Sequence, residues 1–361
     1  MSAVSPFSLP LVRPLETARG AIDRREGFLV RIDGDPPGLG EATPLPGWTE
    51  PLADCGDALD SALSGGGAFD SVAAEDLDPA TLADLDGLPE ARASPAARHA
   101  VELALLDRAA RIAHRPLYRQ LGGARRVTTV PVNAIVGDGD VDATVAASRA
   151  AVERGVGALK VKVGARPVEA DVERVAAVRE AVGARVELRV DANGAWSPEA
   201  AAAAIGALAE LDVALVEQPL PPDALEATAA LRGRGVDVAL DESLGRYPLD
   251  AILDADAADV VVLKPMVLGG VGRCERLADR ARAESLDVVV TTTVDGAVAR
   301  AGAVHLAAAL DLDRAGGLAT ADWLASDVAD DPAPVVDGGA SVPQSGGHGV
   351  RAADLWIGRR A

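Results

Sequence analysis

The sequence contains little cysteine and no long apolar run, and each shortage excludes a class of protein. Cys55 and Cys274 are its only cysteines and lie in unrelated segments, so no disulfide framework is indicated and a reducing cytoplasm is favoured. No apolar run approaches the roughly 18 residues that cross a bilayer. The N-terminus also lacks the basic start and apolar stretch of a signal peptide. We therefore expect a soluble, cytoplasmic protein with no membrane partner.

Basic residues are too few to balance the acidic ones. The 361 residues carry a formal charge of −20, which argues against nucleic acid as a partner because phosphate binding needs a basic stripe. Such acidity is typical of proteins from cells that hold molar salt, where the Debye length is about 3 Å, and a GC-rich genome gives a similar composition. Only 2% of the residues are aromatic, so alanine and valine must fill most of the core.

Lysine is the scarcest charged residue. The whole chain has three lysines, and all of them lie in apolar runs that are typical of strands: Lys160 and Lys162 in ALKVKVG, and Lys264 in VVVLKPM. Arginine keeps its charge in almost any environment, whereas lysine loses its proton when burial or neighbours lower its pKa. A structural ion pair would explain one buried lysine, but three in this arrangement favour a role in chemistry.

From about residue 130 onward, short Val/Leu-rich runs alternate with alanine-rich amphipathic stretches. The runs span residues 130–136, 158–163, 186–192, 213–219, 236–243, 260–265 and 287–293. Strand, helix and strand at this spacing predict βαβ units and a parallel sheet. Seven or eight such units favour an α/β fold of the modified TIM-barrel type, (β/α)7β, over an open doubly wound sheet.

The chain divides into three predicted segments. Residues 1–125 are predicted to form an α+β capping domain, because residues 5–50 have the pattern of antiparallel strands with Pro/Gly turns and residues 94–121 that of a helix. Residues 126–320 are predicted to form the barrel with the catalytic site. Residues 321–361 are turn-rich and are predicted to return to the cap, completing it.

Two local patterns predict helix starts. Ser94 with Pro95, and Ser197 with Pro198, place a capping hydroxyl directly before a proline that suits the first helical turn. The acidic, Gly/Ala-rich stretch around residues 54–90 is predicted to be a weakly packed surface segment.

Charged side chains end the predicted strands, where barrel enzymes place their chemistry. In chain order they are Lys160, Lys162, Asp191, Glu217, Asp241 and Lys264. Side chains alternate along a strand, so the first two lysines face the same side. A helix cap or a loop charge would explain a single acid. Three acids in register are harder to explain structurally, because uncompensated carboxylates repel one another. Together they suit one hard cation such as Mg²⁺.

The chemistry that needs such a set is removal of a proton next to a carboxylate. A metal ion stabilises the enolate oxygens as their charge develops, and a neutral amine near pH 7 accepts the proton. Lys160 beside Lys162, together with the metal ion, is expected to lower the pKa of the accepting amine, while the three carboxylates oppose that shift.

These residues resemble a known family. The motifs are the K-x-K of LKVKVG, Asp191 in VDANGAW, Glu217 in VEQP, Asp241 in LDES and Lys264 in LKP. They resemble the muconate-lactonising-enzyme subgroup of the enolase superfamily, whose sites combine a Lys or His base with Mg²⁺. GLGEATPLPGWTE, at residues 38–50, resembles the cap signature of o-succinylbenzoate synthases of menaquinone biosynthesis, and acylamino-acid racemases carry similar segments.

The resemblance implies a metal site. Asp191, Glu217 and Asp241 would bind Mg²⁺, with Mn²⁺ as an alternative, and Asn193 and Glu242 would support these ligands.

It also implies a role for each lysine. Lys162 would remove the α-proton and then help hydroxide to leave on the same face. Lys160 would hold the substrate carboxylate and adjust the pKa of Lys162. Lys264 would stabilise the enolate from across the ring.

Further residues are candidates for substrate binding. Arg189 and the strand end Thr291–Thr293 would bind substrate carboxylates. The family often has a serine-rich segment with Glu after the seventh strand, whereas this chain has TTTVDGAVA with Asp295, so recognition of a succinyl group would differ in detail. Arg24 and Arg25 fall in a predicted cap loop over the site, as a solvated charge pair or as a substrate clamp.

Several functions stay open. Dehydration to o-succinylbenzoate is the leading one. Racemisation of N-acylamino acids or epimerisation of dipeptides on the same scaffold is the first alternative. Cycloisomerisation of muconates is disfavoured by the cap signature. An inactive barrel that only binds a ligand is the non-enzyme alternative. The partner in each catalytic case is a small carboxylate, and the sequence does not indicate an oligomeric state.

Overall fold

The computed structural model describes residues 2–17, 20–64 and 94–355. An antiparallel sheet is formed by β1 (Ala3–Thr17), β2 (Gly20–Ile32) and β3 (Gly38–Ala42), with the second strand in the middle. Side chains alternate along β1, where Phe7 and Leu9 are buried and Ser8 is exposed. The antiparallel strands predicted for residues 5–50 are confirmed.

Helices follow this sheet. Those in the described residues before the barrel are α1 (Leu52–Ser64), α2 (Pro95–Ile112) and α3 (Leu117–Gln120). β3 packs directly on α2. The approach is so close that a Cβ atom at Gly38 would collide with the backbone carbonyl of Ala104, and one at Gly40 with that of Ala100. The paired glycines of the GLGEA run therefore permit the close approach of strand and helix.

The start of α2 differs from the prediction. Ser94 stands at the N-cap position, but its hydroxyl makes no capping hydrogen bond. The carboxylate of Glu50 accepts instead from the backbone N–H groups of Ala96 at 3.1 Å and Ala97 at 2.9 Å. A carboxylate at this end satisfies free N–H groups and complements the helix dipole, so it replaces the predicted hydroxyl.

α1 contradicts a second prediction. The stretch expected to be weakly packed begins inside this helix, where Cys55 and Leu59 are fully buried. The prediction is therefore wrong for the part of the stretch that lies in α1. Its remainder, residues 65–90, lies outside the described residues.

β4 (Thr129–Pro131) leads into a parallel sheet. In the described residues this sheet has seven strands, ordered as they follow one another in the chain. They are β5 (Asn133–Val136), β6 (Ala158–Lys162), β7 (Glu187–Asp191), β8 (Val213–Glu217), β9 (Asp237–Leu240), β10 (Val260–Leu263) and β11 (Asp287–Val290). Each strand lies within one of the predicted runs.

Helices connect these strands and follow the last one. They are α4 (Val141–Glu153), α5 (Val168–Val182), α6 (Pro198–Ala209), α7 (Leu225–Ala229), α8 (Glu242–Arg246), α9 (Leu249–Asp254), α10 (Pro265–Leu268), α11 (Val271–Ala283) and α12 (Ala297–Ala309). Ser197 caps α6 as predicted, since its hydroxyl oxygen accepts from Ala200 N–H at 3.2 Å. Within the described part of the chain, no helix is both long enough and apolar enough to span a membrane.

Residues 316–317 close the parallel sheet into a barrel. Gly316 forms a parallel bridge to Val132, just before β5, and Gly317 forms one to Thr291, just after β11. Backbone hydrogen bonds accompany both bridges. This short segment joins the first strand to the last, so the predicted modified TIM-barrel class is confirmed.

The chain after the barrel contacts the N-terminal part again. Leu324 forms an antiparallel bridge to Leu11 of β1, and Asp107 of α2 accepts from the backbone N–H of His348 at 2.9 Å. The remaining short elements are two 3₁₀ turns (Ala321–Trp323 and Ala352–Asp354) and two strands that extend β4 as an antiparallel sheet, β12 (Val335–Val336) and β13 (Gly339–Ser341). The domain boundaries at residues 125 and 320 remain predictions.

Candidate active site

Charged side chains gather where consecutive strands of the barrel end. Lys162, Asp191 and Glu217 end β6, β7 and β8 and are direct neighbours in the parallel register. Asp241 follows β9, and Lys264 follows β10. Because the carboxyl ends of parallel strands meet at one edge, these five residues form a row, which we call the acid row.

Lys160 and Lys162 of β6 contact the carboxylates of the acid row. Lys160 Nζ lies 2.8 Å and 2.9 Å from the carboxylate oxygens of Glu217 and 3.3 Å from Asp191 Oδ2. Lys162 Nζ donates to Asp191 Oδ2 at 2.6 Å. Both amines therefore face the same side, as predicted. Burial would lower the pKa of Lys160, but Glu217 and Asp191 outweigh burial and raise it.

Lys264 lies at the opposite end of the acid row. Its Nζ donates to Asp241 Oδ2 at 2.5 Å and lies 3.8 Å from the centre of the Trp48 ring, in a cation–π contact. Trp48 belongs to a tight turn after β3, where its backbone N–H donates to Leu45 O at 3.0 Å. The motifs did not identify Trp48, because the cap signature that contains it gives no sign that this turn reaches the barrel.

Asn193 and Glu242 extend the network beside Lys162. Lys162 Nζ donates to Asn193 Oδ1 at 2.7 Å, and Asn193 Nδ2 donates to Glu242 Oε1 at 2.9 Å. Asn193 has a φ of 44°, a left-handed conformation that asparagine adopts more readily than most residues. Its backbone N–H thereby reaches Asp191 Oδ1 at 3.1 Å. Asn193 therefore contacts the predicted base and a predicted ligand, and Glu242 contacts Asn193, while their supporting role remains a prediction.

Gln218 ties two strand ends together and is fully buried. Its side-chain carbonyl accepts from the backbone N–H groups of Asp241 at 3.2 Å and Ser243 at 3.1 Å, and its amide donates to Ser243 Oγ at 2.9 Å. Gln218 therefore fixes the loop of Asp241 relative to the strand of Glu217. The VEQP motif contains this residue, but its partners on the next strand are not visible in the motif.

Burial and mixed charge shift the pKa values of the acids in different directions. Burial alone would raise the pKa of Asp191, but the ammonium groups of Lys162 and Lys160 hold it below its usual range. Burial raises the pKa of Glu217, and repulsion from the two neighbouring acids adds to this while Lys160 opposes it. Burial also raises the pKa of Asp241 to about 6, despite the nearby ammonium group. Three crowded buried acids are stabilised by added positive charge.

The three acids offer the donor chemistry of a hard divalent cation. Asp191, Glu217 and Asp241 are at most 4% exposed and present only oxygen atoms, which suit Mg²⁺ or Mn²⁺. Each of them accepts a hydrogen bond from an ammonium group. Among the described residues, no three acidic, histidine or cysteine side chains lie in an arrangement that could hold a metal ion as they stand. An ion would therefore have to replace ammonium contacts, and the metal site remains a prediction.

Arg189 lies within β7, two residues before Asp191, and Thr291 directly follows β11; both are buried. Arg189 is 2% exposed, and it donates from Nε to Glu187 at 2.5 Å and from Nη1 to Ala315 O at 2.6 Å. The Thr291 hydroxyl donates to Gly317 O at 3.0 Å. Both side chains therefore hold the backbone of residues 315–317, where the barrel closes. Their predicted contact with a substrate carboxylate remains untested.

Arg25 joins the cap to the barrel rather than lying in a loop. Arg24 and Arg25 both belong to β2, so the predicted loop position is wrong for both. Arg24 is exposed, whereas Arg25 is 1% exposed, so the solvated alternative is also wrong for Arg25. Its guanidinium donates to the backbone carbonyls of Thr43 at 2.7 Å, Pro44 at 3.1 Å and Val294 at 3.3 Å. These donors are occupied by the backbone, and a clamp on substrate remains a prediction.

Thr293 and Asp295 pair with each other in the loop after β11. The Thr293 hydroxyl donates to the Asp295 carboxylate, which also accepts from the Thr293 backbone N–H at 3.1 Å. Close by, the buried carboxylate of Glu41 accepts from the backbone N–H groups of Gly296 at 2.7 Å and Ala299 at 3.0 Å, at the start of α12. Among the described residues, no hydrogen bond or ion pair connects Thr293 or Asp295 to the acid row. The contact of these two residues with substrate stays a prediction.

The fold and the site together define the class of this protein: a capped parallel barrel with amines and carboxylates side by side at its strand ends. Residues 143–355 match the family described as enolase C-terminal domain-like, and the chain belongs to this family. The resemblance to the enolase superfamily that the motifs predict is confirmed.

Its relatives are enzymes of more than one reaction type. The o-succinylbenzoate synthase of Thermobifida fusca (strain YX) is 44% identical over 216 residues, which are 58% of this chain and 65% of that protein, slightly less than two thirds of it. The L-Ala-D/L-Glu epimerase of Bacillus subtilis (strain 168) is 30% identical over 84% of this chain and 83% of that one. A solved dipeptide epimerase from Enterococcus faecalis V583, complexed with Mg and the dipeptide L-Leu-L-Tyr, has a TM-score of 0.84 at 26% identity, over 97% of this chain and 98% of that one.

Proposed function

We propose that this protein is a hydro-lyase that converts 2-succinyl-6-hydroxy-2,4-cyclohexadiene-1-carboxylate to o-succinylbenzoate in menaquinone biosynthesis. The observation that carries the proposal is the acid row, in which carboxylates on consecutive strands are flanked by an amine at each end. The 44% identity to a protein named o-succinylbenzoate synthase favours this reaction within the family. The substrate would be a small carboxylate of the cytoplasm.

Asp191, Glu217 and Asp241 would hold Mg²⁺, with Mn²⁺ as the alternative, because their buried oxygen donors fit a hard cation. When bound, the ion supplies positive charge that stabilises the enolate oxygens. Asn193 and Glu242 would keep the base and the first of these acids in place through their shared hydrogen bonds.

Lys162 is the proposed base because substrate can reach it most easily. Its side chain is 33% exposed, against 10% for Lys160 and 14% for Lys264. The neutral amine takes the proton from the carbon that bears the carboxylate. The resulting ammonium returns this proton to the hydroxyl that leaves from the adjacent carbon on the same face, so water departs and the ring becomes aromatic.

The other two lysines would act on charge. Lys160 would hold the substrate carboxylate in its ammonium form, which Glu217 and Asp191 favour. Lys264 would stand at the other side of the substrate and stabilise the negative charge of the enolate. As the ring becomes aromatic, its face also attracts this ammonium group.

Racemisation of N-acylamino acids or epimerisation of dipeptides is the second candidate. It requires a base on each face of the substrate carbon, and Lys162 and Lys264 stand at opposite ends of the acid row. The relative named L-Ala-D/L-Glu epimerase, matched over 83% of its length, also favours this reaction. An inactive barrel that only binds a ligand is the non-enzyme alternative.

Two assays separate these functions. Loss of diene absorbance after the protein and Mg²⁺ are added to the cyclohexadiene substrate is the expected result. Incubation of N-succinyl amino acids in D₂O measures α-exchange, and exchange with turnover comparable to dehydration would contradict a dedicated synthase. A protein that catalyses neither reaction but still binds the substrate in calorimetry would support the non-enzyme alternative.

A further inference from the structure

A small cavity lies inside the barrel, below the strand ends that carry the acid row. Its polar wall consists of Asn133, Lys160, Arg189, Glu217 and Thr291, and the rest is formed by Gly317 and by valine and leucine side chains from β8, β10 and β11. It has room for an occupant of about the size of one water molecule. The size and the mixed wall exclude an organic ligand.

Two donors on this wall lack an acceptor among the described residues. They are Arg189 Nη2 and Asn133 Nδ2, and the two residues are 2% and 3% exposed. The other guanidinium nitrogens of Arg189 are occupied, since Nε donates to Glu187 and Nη1 to Ala315 O. A buried N–H group without an acceptor is unfavourable and rare in native proteins, so both donors call for an acceptor in the cavity.

The rest of the wall fixes the chemistry of the occupant. The Lys160 ammonium donates to both oxygens of Glu217, and the Thr291 hydroxyl donates to Gly317 O, so these groups already have partners. The two groups without a partner are N–H donors, which bind an acceptor and not a metal cation. We propose that this cavity binds a single-atom hydrogen-bond acceptor, either a halide ion or a water molecule, held by Arg189 Nη2 and Asn133 Nδ2.

The occupant would connect β5 to β7, which are not neighbours in the parallel sheet. Asn133 begins β5, and Arg189 lies in β7 and also holds the chain segment before the closing residues 316–317. The site lies next to Lys160 and Glu217, so it supports the acid row from below. It does not depend on which reaction the protein catalyses.

Crystals of the whole protein grown in sodium bromide, with data collected at the bromine absorption edge, distinguish the two sources. An anomalous peak within hydrogen-bond distance of both nitrogens identifies a halide. An ordered water in the same place without anomalous signal identifies water. The inference is overturned if the refined cavity holds neither, or if Arg189 and Asn133 bond to other protein atoms.

Variants at the cavity test the assignment of its donors. Asn133→Asp places a carboxylate acceptor beside Arg189 and should expel the occupant, whereas Val289→Ala enlarges the same cavity without removing a donor and should keep it. Asn133→Ala should lower the midpoint of thermal unfolding by about 2 °C or more. An occupant that persists unchanged in Asn133→Asp, or that disappears in Val289→Ala alone, would contradict the proposed donors.

Discussion

Lys162 is the residue on which the proposed chemistry depends most directly. Its amine contacts Asp191 and Asn193 but remains the most exposed of the three lysines. We expect Lys162→Ala to lower turnover by about 10²–10⁴-fold, since general acid–base catalysis contributes this much. Mg²⁺ binding measured by titration calorimetry should persist, because the three acids remain. Lys162→Arg is the matched control, since it keeps the charge but cannot lose its proton, and an active Lys162→Arg enzyme would refute the proposed base.

Asp241 tests the proposed metal site. Its carboxylate is 3% exposed and accepts from the Lys264 ammonium group at 2.5 Å, a contact that a bound ion would replace. We expect Asp241→Asn to weaken Mg²⁺ binding by at least about tenfold in titration calorimetry, because even changes beside metal ligands cost that much. Glu199→Gln, at the exposed start of α6, changes the net charge equally and should leave the affinity unchanged. Equal affinities in the two variants would exclude Asp241 as a ligand.

Trp48 tests whether the cap acts on the chemistry through Lys264. The centre of the indole ring lies 3.8 Å from the ammonium nitrogen. A cation–π contact contributes about 0.5 kcal/mol when it is exposed to solvent and about 2 kcal/mol when it is desolvated. We expect Trp48→Leu to lower kcat by about 2–30-fold. Trp48→Phe keeps an aromatic face and should retain most of the rate. Steady-state kinetics that do not distinguish Leu from Phe would show that the ring face has no part in holding Lys264.

The residues of the acid row could be predicted from the sequence, but their partners could not. Alternation along strands and the common edge of a parallel sheet are local rules, and they bring Lys160, Lys162 and the three acids together. Arg25 and Trp48 obey no such rule, because their partners come from another part of the fold. The contact of Arg25 with Val294 joins residues that are 269 positions apart, and only tertiary packing creates it.

At the scale of elements, the start of α2 gives a sharp test of capping. Glu50 accepts from two N–H groups of this helix, whereas the Ser94 hydroxyl at the N-cap position accepts from none. We expect Glu50→Ala to lower the free energy of unfolding by about 1–2 kcal/mol and Ser94→Ala to change it by less than about 0.5 kcal/mol. Urea unfolding of both variants measures this difference. A larger loss in Ser94→Ala would restore the hydroxyl as the cap.

The elements themselves were predicted well where their pattern is local. The seven Val/Leu runs each contain a strand, and Ser197 caps α6 because its partner lies only three residues onward. The cap of α2 was predicted wrongly because the same Ser-Pro pattern competes there with a distant carboxylate. The closing residues 316–317 are glycines without strand character, so their place in the barrel follows only from the two strands that they join.

At the scale of the whole molecule, buried polar groups join the cap to the barrel. Arg25 of β2 donates to the backbone after β11, Glu41 of β3 accepts from the start of α12, and Glu102 of α2 accepts from the backbone N–H of Gly272 at 3.1 Å. Each of these groups is buried, and these particular hydrogen bonds form only when the two parts are docked. Such contacts favour one orientation of the cap above the acid row, because any other orientation would lose these hydrogen bonds.

Glu41 should make the stability of this assembly depend on pH. Burial raises its pKa to about 7, and repulsion from Asp295 and Asp327 adds to the shift, while hydrogen bonds from Thr43 and Ala299 oppose it. The folded state therefore binds the proton of Glu41 more tightly than the unfolded chain, where the ordinary pKa is 4.5. This stabilisation is complete below pH 4.5 and is lost as the pH rises through about 7.

The variant Glu41→Gln isolates this contribution, because glutamine keeps the shape of the protonated side chain and does not titrate. We expect the unfolding free energy of the wild type, minus that of Glu41→Gln, to fall by about 2–3 kcal/mol between about pH 5 and 8. Urea unfolding at a series of pH values measures it, and the subtraction removes the titration of the other buried acids. A difference that stays constant over this range would mean that Glu41 is ionised throughout. In that case the N–H groups at the start of α12 and the Thr43 hydroxyl would stabilise the carboxylate more than burial destabilises it.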